Sequence, residues 1–181
     1  IEQILKVTKN KHCLKILDIG VGSGCILLSI LKEKKNFYGT GIDISKNSLE
    51  ISRLNAKKLL VDERVKFYKS DVDKFTQGKY DLIVSNPPYI PPSEQREMKP
   101  NVLNYEPHLA LFVPENDPLI FYRSILEYGL LYLVSDGLIY FEINPRFLSE
   151  MKSLILSFKV YSILERKDIF GKLRMLRVQK K

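Results

Sequence analysis

Residues 86–89, Asn-Pro-Pro-Tyr, have the types and spacing that best suit a chemical step. Two successive prolines lack N–H donors and fix φ, so the carbonyl oxygen of Pro87 is held outward instead of being used locally. That oxygen and the side-chain oxygen of Asn86 are two acceptors that can bind both hydrogens of one planar –NH₂ group. Such a nitrogen is a poor nucleophile, and acceptors on its hydrogens enrich it as it attacks. The motif predicts a reaction at an amide or ring amino group, with contacts from Asn86, Pro87, Pro88 and the aromatic wall of Tyr89.

A glycine-rich turn at residues 18–24 predicts a small-molecule site. Glycines at alternate positions let the backbone turn sharply and approach a ligand, and the following helix offers free N–H groups. A dinucleotide site would need a further glycine where Cys25 and Ile26 stand. An aspartate before the glycines is instead typical of S-adenosylmethionine sites, although a ligand-free turn is an open alternative. The candidate cofactor contacts are Asp18, Gly20, Val21, Gly22, Ser23 and Gly24.

Two further aspartates follow predicted strands and extend this site. Asp43 ends the second strand, where a carboxylate can accept both hydroxyls of a ribose; its alternative role is to complement a helix dipole. Asp71 with Val72 follows the third strand, where an adenine could be bound; a turn-forming aspartate is the alternative. Because the carboxyl ends of parallel strands form one crevice, we expect these residues and Asn86 to surround the same cofactor.

Short β-branched runs alternate with helical patterns along the whole chain, which predicts βαβ units and a mostly parallel sheet. A proline-rich interruption follows the fourth strand: eight of the nine prolines lie between Pro87 and Pro118. This stretch is predicted to be neither helix nor central strand, and its apolar side chains favour an ordered loop over an active site. The predicted strands span 15–18, 37–43, 65–69, 80–85, 137–143, 160–165 and 173–178, and the predicted helices span 26–34, 45–59, 119–134 and 145–158.

Composition limits the class of protein. The 181 residues, 45% hydrophobic and 28% charged, predict one globular domain without a membrane span. Two cysteines and two histidines without metal-ligand spacing predict no metal site and a reducing, cytoplasmic setting. The net charge of +8 leaves open a solvated basic surface or a nucleic-acid or ribosomal partner. Since the chain starts at Ile1 in a helical pattern, it is expected to be a fragment.

The chain resembles amino-group methyltransferases with an NPPY motif, and among them the HemK-type peptide chain release factor glutamine methyltransferases. Three features carry the resemblance: Ser-Asn-Pro-Pro-Tyr-Ile at 85–90, Asn-Tyr-Glu-Pro-His-Leu-Ala-Leu-Phe at 104–112, and Glu142 on the fifth strand. It implies an α/β, Rossmann-like class I methyltransferase fold with seven strands, the last antiparallel. It also implies methyl transfer from S-adenosyl-L-methionine to the glutamine amide in the Gly-Gly-Gln motif of class 1 peptide chain release factors.

The resemblance also implies roles for individual residues. Gly20, Gly22 and Gly24 would bind the methionine part of the cofactor, Asp43 the ribose, and Asp71 with Val72 the adenine. Residues 86–89 would bind the glutamine amide, and Tyr105, Glu106 and Pro107 would shape the far side of its pocket. Two positions depart from the family: Asn144 replaces a usual glycine, and Val72 replaces an aromatic residue of some members.

The resemblance implies that residues 1–181 form one catalytic domain, without the helical N-terminal docking domain of the family. Two other functions stay open at this point. A DNA or RNA adenine or guanine amino-methyltransferase would use the same two acceptors, although 181 residues leave little room for a target-recognition region. A non-catalytic cofactor-binding subunit would not need an intact NPPY motif.

Overall fold

The structure is a computed structural model that describes residues 1–97, 111–168 and 170–181, without the side chains of residues 96 and 97. Seven strands and five α-helices alternate along these residues. The strands are β1 (Lys15–Ile19), β2 (Tyr38–Asp43), β3 (Val65–Lys69), β4 (Tyr80–Ser85), β5 (Leu133–Glu142), β6 (Tyr161–Lys167) and β7 (Leu173–Lys180). The helices are α1 (Glu2–Val7), α2 (Cys25–Glu33), α3 (Lys46–Lys58), α4 (Ile120–Tyr132) and α5 (Leu148–Ser157).

The strands form one sheet in the order β3-β2-β1-β4-β5-β7-β6. All neighbouring pairs from β3 to β5 are parallel, whereas β7 runs antiparallel to both β5 and β6. This confirms the predicted seven-stranded, mostly parallel sheet with an antiparallel last strand. Chain order reverses direction between β1 and β4, and ligands bind at the carboxyl ends of the strands at such a switch point.

Each face of the sheet carries its own apolar core. Ile16 packs with α2 and α3 on one face, and its neighbour Leu17 packs with α4 and α5 on the other. Consecutive strand residues point to opposite faces, so a strand buried on both sides is apolar at nearly every position. Both Ile16 and Leu17 are fully buried. The core therefore holds the strand ends rigidly at the edge where the predicted site residues lie.

Two predicted elements differ from the structure. β5 begins at Leu133, four residues before its predicted start, because a bulge opposite Tyr80 and Leu82 accommodates Asp136 at φ 59°. The strand continues through Asp136 and Gly137. The helix predicted from Pro145 is a 3₁₀ turn (Pro145–Phe147) followed by α5.

Candidate active site

The turn after β1 forms an open cradle at the carboxyl edge of the sheet. Gly20 and Gly22 have φ of +72° and +55°, a backbone conformation that residues other than glycine rarely adopt. A Cβ atom built on either residue would have no heavy atom within 4 Å. The backbone of Val21, whose N–H donates to the carbonyl of Ile42 at 3.0 Å, ties the turn to β2. The space in front of these glycines is available to a ligand.

Gly24 has a different role from the other two glycines. It is buried at the N-cap of α2 with φ +85°, and a Cβ built on it would lie 2.7 Å from Cδ1 of Leu28. Its missing side chain therefore allows the turn to pack against α2. Gly24 therefore lacks the open space found at Gly20 and Gly22, and its contact with a cofactor stays a prediction.

Two polar side chains of α3 hold the glycine turn, and the sequence analysis did not identify them. The hydroxyl of Ser52 donates to the carbonyl of Gly22 at 2.6 Å, and Nδ2 of Asn55 donates to the carbonyl of Ser23 at 2.9 Å. Ser52 is fully buried. The sequence does carry a signal for Ser52, because this residue is polar and lies on the core-facing side of an amphipathic helix. A buried hydroxyl at such a position needs a hydrogen-bond partner.

Asp43 joins the end of β2 to the glycine turn. Its Oδ2 accepts the N–H of Gly22 at 2.9 Å, and its Oδ1 accepts the N–H of Ser45 at 2.8 Å. The residue is half-buried. A carboxylate has about four lone-pair sites, so both oxygens retain acceptor capacity for a ligand hydroxyl. The predicted ribose contact is compatible with this geometry, and the carboxylate has a second, structural role that spacing alone did not indicate.

Asp18, which is predicted to contact a cofactor, is buried. It is only 2% exposed, and its side chain accepts the backbone N–H of Leu27 in the first turn of α2. Burial away from water, with a smaller contribution from the charge of Asp43, raises the pKa of Asp18 to about 8. Asp18 is therefore mostly protonated at neutral pH, and it closes the start of α2 below the cradle.

The predicted adenine region has an exposed acid beside a buried apolar residue. Asp71 is exposed and precedes the 3₁₀ turn Val72–Lys74, as its turn-forming alternative predicted, whereas Val72 is 6% exposed. The N–H of Ser70 donates to the carbonyl of Asp43 at 3.1 Å, which brings this region beside β2. Ile44, which directly follows Asp43, is 51% exposed and offers the apolar surface that Val72 largely lacks. The sequence gives no signal at Ile44, because an isolated apolar residue forms no pattern.

The NPPY motif begins where β4 meets β1. The buried hydroxyl of Ser85 donates to the carbonyl of Ile19 at 2.7 Å, which fixes the residue directly before the motif. Asn86 is exposed and Pro87 is buried. Among the residues that the structure describes, none forms a hydrogen bond with the Asn86 side chain. Asn86 follows β4 directly, so it lies at the same sheet edge as the glycine cradle.

Tyr89 is fixed through β5. Its hydroxyl donates to Oε1 of Glu142 at 3.2 Å, and the hydroxyl of Tyr122 donates to the carbonyl of Glu142 at 2.9 Å. Burial, together with the negative charge of Glu142, raises the pKa of Tyr89 to about 12, so the phenol stays protonated. The ring that was predicted as an aromatic wall thus has a defined orientation, given by Glu142.

The segment that follows the motif is tied to the chain again near residue 112. The N–H of Ile90 donates to the carbonyl of Leu111 at 3.1 Å, and the N–H of Val113 donates back to the carbonyl of Ile90 at 3.0 Å. Further along, the hydroxyl of Ser93 donates to Oε1 of Glu115 at 2.6 Å. The predicted substrate contacts Tyr105, Glu106 and Pro107 lie outside the described residues.

The sequence predicts neither a membrane span nor a metal site, and the described residues give one observation on each. No described helix is long and apolar enough to cross a membrane. Within residues 1–97, 111–168 and 170–181, no cluster of three or more histidine, cysteine or acidic side chains could hold a metal ion. Cys13 and Cys25 are free and exposed.

A seven-stranded sheet with an antiparallel last strand, a glycine cradle after β1 and an NPPY motif after β4 defines a class I methyltransferase domain. The family model of the methyltransferase small domain matches residues 2–104, and the chain belongs to that family.

The sequence of the chain is also similar to those of known methyltransferases. The chain is 44% identical over 175 residues to a release factor glutamine methyltransferase of Bacteroides thetaiotaomicron. That alignment covers 95% of this chain and 62% of the relative, so the chain spans about three fifths of that protein's length. Other relatives with the same name come from Flavobacterium psychrophilum and Lactococcus lactis.

Solved structures show the same fold. A methyltransferase from Pyrococcus furiosus superimposes with a TM-score of 0.71 at 19% identity, covering 99% of this chain and 81% of that one. A magnesium protoporphyrin IX methyltransferase from Synechocystis PCC 6803, crystallised with bound SAM, gives a TM-score of 0.66 at 14% identity. The second match covers 99% of this chain and 77% of that one.

Proposed function

We propose that this chain is the catalytic domain of an S-adenosyl-L-methionine-dependent protein-glutamine methyltransferase whose substrate is a class 1 peptide chain release factor. The observation that carries the proposal is the exposed side chain of Asn86, to which no described residue forms a hydrogen bond, next to the ring of Tyr89 that Glu142 orients. Both lie at the edge that also holds the glycine cradle. The names of the relatives support the glutamine of the release factor as the methylated group. We also infer that residues 1–181 act as one catalytic domain in the cytoplasm.

The residues present fit the proposed cofactor. The open space before Gly20 and Gly22 admits a ligand against bare backbone, and the carboxylate of Asp43 has acceptor capacity for the ribose hydroxyls. Ile44 and Val72 would flank the adenine ring. When bound, S-adenosylmethionine supplies a methyl group on a sulfonium, which needs no further activation beyond in-line placement.

The chain's own contribution is to bind and orient the amide. Asn86 Oδ1 and the carbonyl of Pro87 would each accept one N–H of the glutamine –NH₂ group. The ring of Tyr89 would form a wall of the pocket that holds this amide. Both acceptors stabilise the nitrogen more as it loses amide character, so they act on the transition state rather than on ground-state binding. The nitrogen forms a bond to the methyl group as the bond between that methyl group and the sulfonium sulfur breaks. The sulfur would leave as a neutral thioether, and the nitrogen would release one proton to solvent.

The proposal is tested by mass spectrometry of a purified release factor after incubation with the full-length protein and S-adenosylmethionine. A mass increase of one methyl group on the peptide that contains the Gly-Gly-Gln glutamine is expected. The same factor with that glutamine replaced by alanine serves as the control and should remain unmodified. Methylation of the control at equal yield would place the reaction on another group and refute the proposed substrate.

A further inference from the structure

A cluster of polar side chains connects the chain after β5 with the segment after the NPPY motif. Nδ2 of Asn144 lies 3.1 Å from Oε2 and 3.3 Å from Oε1 of Glu94. Nη1 of Arg146 lies 3.1 Å from Oε1 of the same carboxylate. Glu94 thus accepts from two residues that are 50 and 52 positions away in sequence.

Asn144 also reaches the motif itself. Its Nδ2 is 3.4 Å from the carbonyl oxygen of Tyr89, and its Oδ1 accepts the backbone N–H of Arg146 at 3.1 Å. The second bond caps the 3₁₀ turn Pro145–Phe147 and fixes the orientation of the amide, so that the NH₂ group points at Glu94 and Tyr89. The side chain of Glu94 is only 18% exposed, which strengthens its charge-assisted bonds relative to a fully solvated pair.

The position of this cluster matters for the chemistry. Asn86 and Pro87 are mounted on the end of β4, but the backbone that follows them leaves the sheet. Two acceptors that bind one –NH₂ group must keep their separation and direction, and small misplacements of reacting groups are costly. Asn144, Glu94 and the Tyr89–Glu142 bond together give this backbone a second support on β5.

We propose that Glu94, Asn144 and Arg146 form an anchor that fixes residues 89–94 against the end of β5 and thereby positions the amide acceptors for methyl transfer. Asn144 is the central positioning residue because it alone contacts both Glu94 and the motif backbone among the three. This inference rests on the proposed function for its kinetic readout.

Four variants separate the anchor from the fold. Asn144→Asp keeps an oxygen to accept the N–H of Arg146, so it preserves the cap, but it removes the NH₂ donor and places a second carboxylate against Glu94. Glu94→Ala removes the shared acceptor, whereas Glu94→Gln keeps a neutral acceptor for Asn144. Glu165→Ala is the matched control, because Glu165 pairs with Lys152 at 2.8 Å on the surface between α5 and β6.

The first measurement is methyl-transfer kinetics with the release factor, together with cofactor affinity by calorimetry. Asn144→Asp and Glu94→Ala are each expected to lower kcat/KM for the factor by about 10-fold or more while cofactor Kd stays within about 2-fold. The double variant, Asn144→Asp with Glu94→Ala, should have a kcat/KM no lower than that of the poorer single variant. Both changes remove the same contact, the one between Asn144 and Glu94. Glu94→Gln should recover part of the loss, and Glu165→Ala should behave like the parent chain.

The second measurement is amide hydrogen exchange of residues 90–94, which needs no substrate. Loss of the anchor should reduce protection of the Ile90 and Ser93 amides in Asn144→Asp and leave α2 unchanged. If the full-length parent protein transfers no methyl to the factor but exchange changes as described, the proposed substrate is wrong and the anchor stands. If protection and kcat/KM both match the parent in Asn144→Asp and Glu94→Ala, the anchor is refuted.

Discussion

Oδ2 of Asp43 accepts the backbone N–H of Gly22 at 2.9 Å, so the carboxylate at the end of β2 also shapes the turn after β1. The same side chain holds the start of α3 through the N–H of Ser45. A change at Asp43 is therefore predicted to weaken cofactor binding in two ways, by removing an acceptor for the ribose and by releasing the glycine turn.

Asp43→Ala is expected to weaken S-adenosylmethionine binding by one to two orders of magnitude. The loss of charge-assisted bonds costs roughly 2–3 kcal/mol, and the free N–H of Gly22 adds to it. Titration calorimetry on the folded variant measures the change. Asp62→Ala, an exposed acid before β3 at the opposite edge, should bind like the parent; equal affinity of Asp43→Ala and Asp62→Ala would remove Asp43 from the site.

Asn86→Ala is expected to lower kcat by about 100-fold, the cost of deleting one preorganised group that stabilises a transition state. Cofactor affinity should stay close to that of the parent, because Asn86 is proposed to act on the substrate nitrogen. Steady-state kinetics with a saturating release factor, combined with calorimetry, separates the two effects. Asn36→Ala, an exposed asparagine before β2, is the control. Full turnover by Asn86→Ala would contradict the proposed mechanism.

Ser52→Ala tests whether α3 supports the cradle. Deleting the buried hydroxyl leaves the carbonyl of Gly22 without its partner, which should lower the free energy of unfolding by about 1–3 kcal/mol. It should also weaken cofactor binding, whereas Ser157→Ala, which removes an exposed bond to the carbonyl of Leu154, should do neither. Denaturant unfolding and calorimetry measure both quantities. Unchanged cofactor affinity in a destabilised Ser52→Ala would limit this contact to the fold.

The pH dependence of stability follows from Asp18. Its pKa is raised from the ordinary value of 3.8 to about 8, so between these values the folded chain holds a proton that the unfolded chain has lost. Stability should therefore fall as pH rises from about 4 to 8 through this group. Asp18→Asn keeps an oxygen for the N–H of Leu27 and removes the titration. Tm measured across this range should decline less in Asp18→Asn; identical slopes in both proteins would contradict the assignment.

The sequence predicted the strands well because strand positions depend on local pattern. The two strand spans 65–69 and 80–85 agree with β3 and β4. Ser45 is the N-cap of α3, since its hydroxyl accepts the N–H of Ser48. Local residue types in a βαβ unit determine where such elements begin and end.

The supports of the site could not be predicted in the same way. The contact of Tyr89 with Glu142 joins residues 53 positions apart, and Asn144 meets Glu94 across 50 positions. Such pairs depend on strand order and side-chain direction, which periodicity does not specify. Asn144 was recognised only as a departure from the resembled family, and its hydrogen bonds with Glu94 and Arg146 show what the amide does there.

The most direct test of the proposed activity offers three acceptors to the protein side by side. The full-length protein is incubated with methyl-labelled S-adenosylmethionine and a folded class 1 release factor, DNA or ribosomal RNA at matched concentrations. The proposal predicts label in the release factor alone, and none when its Gly-Gly-Gln glutamine is replaced. Label in either nucleic acid with the release factor unmodified would contradict it and assign the NPPY site to a base amino group.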